Sequence, residues 1–227
     1  MLLRSLFEGI DMTILFYISV VFLQVVTIYL DNKTNMYDFF NRVRQGSIAT
    51  AYTNRGITLT VARTLFYAVP PFLGFLILNT SKDEFEILIM SVAIINFLVT
   101  LYQCFLYSKR FDKRLTQEVC KKRIIYKGYD FYVGILAFMF FLMTPYILNY
   151  GALIFPEEGL WIVQLNAVVN SFLTLYVIWI FEPRVAKKID QKNSYEDEFF
   201  EALFVRLYGR LIILIIVVLM LLFIQPL

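Results

Sequence analysis

The 227-residue chain contains no histidine. That absence removes every mechanism that turns on an imidazole: Ser-His-Asp and Cys-His hydrolysis, histidine-based membrane phosphatases, HExxH proteases and histidine-ligated haem. Cysteine is nearly absent too, with only Cys104 and Cys120. The pair fits no CxxC or other metal-ligand spacing, and without a secreted framework it reads as free thiols on a reducing face. Charged residues make up 17% of the chain, against about 25% in an average soluble domain. The sequence has no phosphate loop, no dinucleotide fingerprint and none of the aspartate-rich phosphotransfer motifs of membrane lipid synthases. The expectation is a protein that is not an enzyme and needs no cofactor or metal.

What the chain does have is apolar. Hydrophobic residues account for 59%, with 23 Phe and 15 Tyr, and the mean hydropathy is +0.68. A disordered chain is excluded, and a soluble globular domain is a poor fit. Six runs reach the roughly 20 apolar residues that a helix needs to cross the hydrocarbon core. They cover residues 13–30, 59–79, 85–107, 131–155, 159–181 and 210–227. The runs are continuous, whereas a β-barrel would alternate in segments of about ten residues. The fold expected is therefore all-α: a polytopic membrane protein, one domain over 1–227, built as a bundle of six transmembrane helices. The first run is too long for a signal-peptide core and no small-residue cleavage site follows it, so it reads as a retained span.

Most of the 21 Lys and Arg fall in three loops, after the first, third and fifth spans. The opposite turns are acidic, with Asp83, Glu84 and Glu86 in one and Glu157 and Glu158 in the other. The positive-inside rule then places the three basic loops in the cytoplasm and both termini outside. The middle loop reads either as plain topogenic charge or as a surface attracting anionic lipid, each basic residue adding about 1 kcal/mol. Phe111, Leu115 and Val119 recur there every four residues, as in a helix lying in the interface. In the last loop Ser194 and Asp197 read as a capping box opening a helix that runs through Arg206 and Arg210 into the sixth span.

Polar residues inside spans are costly and point to function. Arg63 sits roughly 6 Å inside the cytoplasmic end of the second span, with Thr60, Thr64 and Tyr67 on its face. Two readings stand: a cavity lining, or an arginine that snorkels to the headgroups. Asn96, Thr100 and Gln103 form a second stripe, and Asn166, Asn170 and Thr174 a third. Each alone reads as interhelical hydrogen-bond glue, and the three together as a shared polar cavity. Arg206 and Arg210 stand one turn apart at the start of the sixth span. With Arg42, Arg44, Arg55 and Arg63 they form either a phosphate-binding cluster or merely the charged end of the span. No acidic residue lies deep in the expected spans, so no proton relay is visible.

The segment Val43-Arg44-Gln45-Gly46-Ser47-Ile48-Ala49-Thr50-Ala51, with Ala62-Arg63-Thr64 and Pro71-Phe72-Leu73-Gly74 after it, resembles the Amj (alternate to MurJ) family of lipid II flippases. Phe181-Glu182-Pro183-Arg184, Lys188-Ile189-Asp190, Phe199-Phe200 and Gly209-Arg210-Leu211 are similar to that family's C-terminal part. The resemblance implies a bacterial cytoplasmic-membrane transporter that moves a polyprenyl-pyrophosphate-linked sugar to the outer leaflet by alternating access. Arg44, Arg63 and Arg210 are the residues it would carry over. The substrate-binding set expected from stripes and resemblance together is Arg44, Arg63, Thr64, Tyr67, Asn96, Gln103, Asn166, Asn170, Arg206 and Arg210. Partners expected are the lipid-linked sugar, membrane lipids and a second copy of the chain, with no nucleic acid. Two other classes fit the span count: the six-span substrate-binding component of a vitamin importer, and a structural or regulatory membrane protein.

Overall fold

Without water to satisfy lone backbone groups, long apolar runs must close their hydrogen bonds within the segment, which means helices. The computed structural model describes residues 12–111, 129–190 and 196–223, and the regular structure among them is helical throughout. In chain order the α-helices are α1 Met12–Asn32, α2 Phe39–Arg44, α3 Ile48–Tyr67, α4 Val69–Asn79, α5 Lys82–Phe111 and α6 Tyr129–Phe140. Then come α7 Thr144–Ile154, α8 Gly159–Leu175, α9 Glu182–Asp190 and α10 Glu196–Phe223. Two π-helical segments, Lys33–Asp38 and Tyr176–Phe181, join α1 to α2 and α8 to α9. Five helical stretches are long and apolar enough to cross a membrane, and the bent pair α6–α7 makes up a sixth. The chain is thus an all-α, multi-pass membrane protein.

Several helices outrun the bilayer. The stretch Met12–Arg44 has 33 residues. It measures about 50 Å at 1.5 Å per residue, against a hydrocarbon core of about 30 Å. The excess lies at the basic end, where α2 folds back through Gly46 into α3. Gly46 has φ +78°, a left-handed conformation that glycine adopts without strain, as helix ends often require.

The span expected at 131–155 is not one helix. It breaks between α6 and α7 with a bend of 54°. The cause is Pro145, which has no N–H to give to the carbonyl of Phe141 four residues back. Leu142, in the break, has a positive φ of 69° and is fully buried. The freed carbonyls find donors on other helices. Arg210 donates from Nη1 to the carbonyls of Phe138 (3.1 Å) and Phe141, and Gln24 Nε2 donates to that of Leu142 (3.1 Å). A break at membrane depth is tolerated when its backbone groups are satisfied in this way.

α10 is the central post, packing along α5 and α6, while α1 packs on α3, α4 and α5. Gly209 lets α10 approach α6 closely. A Cβ there would lie 2.9 Å from the backbone nitrogen of Met139 and 3.0 Å from the carbonyl carbon of Phe138. The helix through Arg206 and Arg210 is as expected, but its proposed Ser194 cap lies outside the described residues. So do Cys120 and most of the middle basic loop, including Leu115 and Val119.

Candidate functional site

Helix α1 carries Thr27 and Asp31, and the π-helical segment after it Asn35, at four-residue spacing. All three are buried and all line one cavity. From α3 the same cavity takes Arg55, Arg63 and Tyr67, from α8 Asn170 and Thr174, and from α10 Glu201 and Arg206. Its room for water-sized groups amounts to about 80 Å³, several times the roughly 10–15 Å³ that one water needs. Counting 1.5 Å per residue back from Asn79, the outer end of the Ile48–Asn79 stretch, puts Arg55 about 36 Å and Tyr67 about 18 Å from that end. The cavity therefore runs from the basic interface to about mid-depth.

A chain of polar contacts links five segments along this wall: α10, α1, the first π-helical segment, α3 and α9. Arg206 Nε faces Asp31 Oδ2 at 3.6 Å, an ion pair without a hydrogen bond. Asn35 Nδ2 donates to Asp31 Oδ1 at 2.9 Å, and Arg55 Nε donates to Asn35 Oδ1 at 2.8 Å. Arg55 Nη1 then meets Glu182 Oε1 on α9 at 3.0 Å. Arg206 is 3% exposed, Arg55 6% and Asp31 7%, so the links on α1, α3 and α10 are withdrawn from solvent. Arg206 also lies over the ring of Phe138, 4.2 Å from its centroid, which offsets part of the cost of burying a guanidinium. Beside this chain, Arg184 and Glu201 pair at 2.8 Å.

Two features leave the cavity chemically open. Thr27 Oγ1, Asp31 Oδ2, Asn170 Oδ1 and Arg206 Nε are buried without a hydrogen-bond partner among the described residues, and all four residues line the cavity. Arg63 also lines it, is exposed, and has no hydrogen bond or ion pair among the described residues. Helices α3 and α8 both wall the cavity yet pack on other neighbours, α3 on α1 and α2, and α8 on α7. Arg63 and Tyr67, the latter 69% exposed, lie in the gap.

Of the expected set, the structure brings Arg63, Tyr67, Asn170 and Arg206 together. Asn166 contributes indirectly, accepting from Asn170 Nδ2 at 3.1 Å. Thr64 is on the exposed side of α3 and bonds back to the carbonyl of Thr60. Arg44 is exposed at the end of α2, away from the cavity lining. Asn96 and Gln103 belong to helix glue: Gln24 donates to Asn96 Oδ1 at 3.1 Å, and Asn32 to Gln103 Oε1 at 2.8 Å and Thr100 Oγ1 at 3.2 Å. Arg210 is turned to the carbonyls of the α6–α7 break rather than to the cavity.

Asp31, Asn35, Arg55, Glu182 and Glu201 were not in the expected set. Thr27, Asp31 and Asn35 were readable as a fourth stripe by spacing alone. The apolar run ends at residue 30, whereas the helical stretch continues to Arg44. Asp31 thus lies one residue past the expected run and within the longer helical stretch, so a buried carboxylate stands at the end of the first span rather than deep in it. Comparison with protein-family models, with curated proteins and with solved structures gives no match to this chain.

Proposed function

We propose that the protein is a flippase for an anionic lipid-linked substrate, of the polyprenyl-pyrophosphate-sugar class, working by alternating access. One observation carries this reading: a polar cavity towards the basic ends of the helices, walled by α3 and α8 and lined by Arg63, which is exposed and has no partner among the described residues. A lipid-linked sugar has a charged phosphate end and a long apolar tail. The site suits both, because the headgroup can meet Arg63 while the tail stays in lipid. Arginine is the side chain fitted to bidentate phosphate contacts. Asn170, Thr174 and Tyr67 supply hydroxyl and amide groups farther in, of the kind that replace water around a sugar. The room present accommodates a phosphate-sized group and no whole sugar headgroup, so passage requires α3 and α8 to part. A vitamin-importer component calls for a pocket on the outer face, whereas this cavity lies towards the basic one.

The test is leaflet exchange of a labelled polyprenyl-pyrophosphate sugar by the purified full chain in liposomes. Arg63→Ala should reduce exchange at least tenfold, with an unchanged helical signal and elution profile. Arg63→Lys should keep part of the activity, because a point charge replaces a fork of donors. Exchange by Arg63→Ala at the wild-type rate removes the assigned role, and absence of exchange by the wild type removes the function.

A further inference from the structure

We propose a second ligand site, in a separate cavity between the first π-helical segment, α2 and α3, that takes a lipid headgroup of the phosphoethanolamine class. It is independent of the flippase reading, because Arg55 is the one residue that lines both this cavity and the one around Arg63.

Thr34, Asp38 and Arg42 recur every fourth residue across the π-helical segment and α2, and all three line this cavity, opposite Asn54 and Thr58 of α3. It has room of about 190 Å³, more than twice that around Arg63. An acid followed by a base four residues later is the order in which a helix pairs its charges best. Here the two do not pair with each other. Arg42 is turned to Asn54, whose amide is assigned with its oxygen towards the guanidinium, accepting from Nη1 at 2.9 Å and Nη2 at 3.2 Å. Of the five guanidinium donors this leaves Nε–H and one hydrogen on each Nη, which form the fork that grips a phosphate through two bonds. Asp38 has Lys33 at 4.0 Å, the two side chains being 39% and 43% exposed. An exposed pair of that kind is worth at most about 1 kcal/mol, so Asp38 is held only weakly. Thr34 is 2% exposed, and its Oγ1 has no hydrogen-bond partner among the described residues.

The cavity thus has a cationic end at Arg42 and, on the same face, a carboxylate and a buried hydroxyl at Asp38 and Thr34. The matching ligand carries a phosphate and, a short link away, an ammonium. The phosphate takes the free fork of Arg42, and the ammonium donates to the Asp38 carboxylate and the Thr34 hydroxyl. A headgroup with phosphate alone sets an anion beside Asp38, and a quaternary ammonium has no N–H to donate. The depth suits a lipid. Counting back from Asn79 at 1.5 Å per residue, Asn54 lies about 38 Å away, past the roughly 30 Å of hydrocarbon and level with the headgroups. At the rim Ile57, 60% exposed, gives an apolar edge against which an acyl chain can start.

The test uses the purified full chain in detergent, with dioctanoyl phosphatidylethanolamine as probe and native mass spectrometry to read its Kd. The dioctanoyl glycerol and choline phospholipids are the comparisons, and glycerophosphoethanolamine is the headgroup without chains. The ethanolamine lipid should bind about tenfold tighter than either comparison lipid, and the soluble headgroup more weakly than the lipid. Arg42→Ala should weaken the ethanolamine and glycerol lipids alike, by about tenfold or more, and Asp38→Asn should remove the preference between them. A phosphatidylethanolamine with a diazirine beside its headgroup gives a second measurement, made on the wild type alone. Its label should fall within residues 34–42 and 51–58, and label found only elsewhere overturns the site. Binding of a comparison lipid as tight as that of the probe overturns the headgroup class, as does a preference that survives Asp38→Asn. A soluble headgroup that binds as well as the lipid overturns the membrane as the source. The flippase reading survives each of these results, because it depends on Arg63.

Discussion

Arg206 and Arg210 are one turn apart on α10, both buried, and their surroundings give them opposite roles. Arg206 faces a carboxylate and a cavity; Arg210 serves the backbone of another helix. Replacing Arg210 by Met keeps much of the side-chain volume and removes the donors to the carbonyls of Phe138 and Phe141. An unsatisfied buried polar group costs about 1–3 kcal/mol. With two carbonyls affected, Arg210→Met should therefore lose about 2–6 kcal/mol, read as a lower melting temperature in detergent, while Arg210→Lys loses less. A phosphate-binding role alone predicts the reverse pattern: unchanged melting and lost exchange. Gly209, the residue before it, is fixed by contact. A Cβ at that position meets the α6 backbone at 2.9 Å, and backbone cannot rotate away. Overpacking of this kind costs about 1–3 kcal/mol, so Gly209→Ala should lower the melting temperature too.

At the scale of elements, composition and run length were enough for the helical bundle, because in lipid the backbone has few alternatives. The six expected runs correspond to the helices found, yet their ends do not. Hydropathy marks where a helix is apolar, whereas the α1–α2 stretch continues about 20 Å beyond the core as a polar helix, at 1.5 Å per residue. The residues past that boundary, Asn35 and Arg55, are those that complete the polar chain. The break at Pro145 was hidden for a related reason. Proline is common in membrane helices, and whether it bends one depends on donors elsewhere in the chain, here Arg210 and Gln24. The stripes illustrate what spacing can and cannot settle. Asn96, Thr100 and Gln103 share a face as expected, but only the packing shows that α1 covers it. Interhelical hydrogen bonds in membranes average about 0.6 kcal/mol. Asn96→Ala should thus lower stability by no more than about 2 kcal/mol and leave lipid exchange unchanged, by the same liposome assay. A loss of exchange with stability intact would move Asn96 from glue to transport.

For the molecule as a whole, the arrangement of helices α3 and α8 matters most. They wall the cavity and pack on different neighbours, and at the basic end the Arg55–Glu182 pair ties α3 to α9, which follows α8 through the second π-helical segment. A substrate larger than the present room must spread them in the membrane, and the tie sets where that motion pivots or releases. Clamping the two helices beside the cavity should consequently stop exchange without unfolding the protein. The double variant Tyr67→Cys with Asn170→Cys places a thiol on each wall of the cavity, in a background with Cys104→Ala and Cys120→Ser. A flexible bis-thiol reagent carrying a cleavable disulfide should abolish exchange in this protein, and reduction should restore it. Each single-cysteine protein should be affected less by the same reagent, which separates clamping from simple blockage. If the cross-linked double variant flips lipid at the uncross-linked rate, α3 and α8 do not part during transport. The spacing of the two helices would then be a fixed feature of the bundle, and the substrate path would have to run elsewhere than past Arg63.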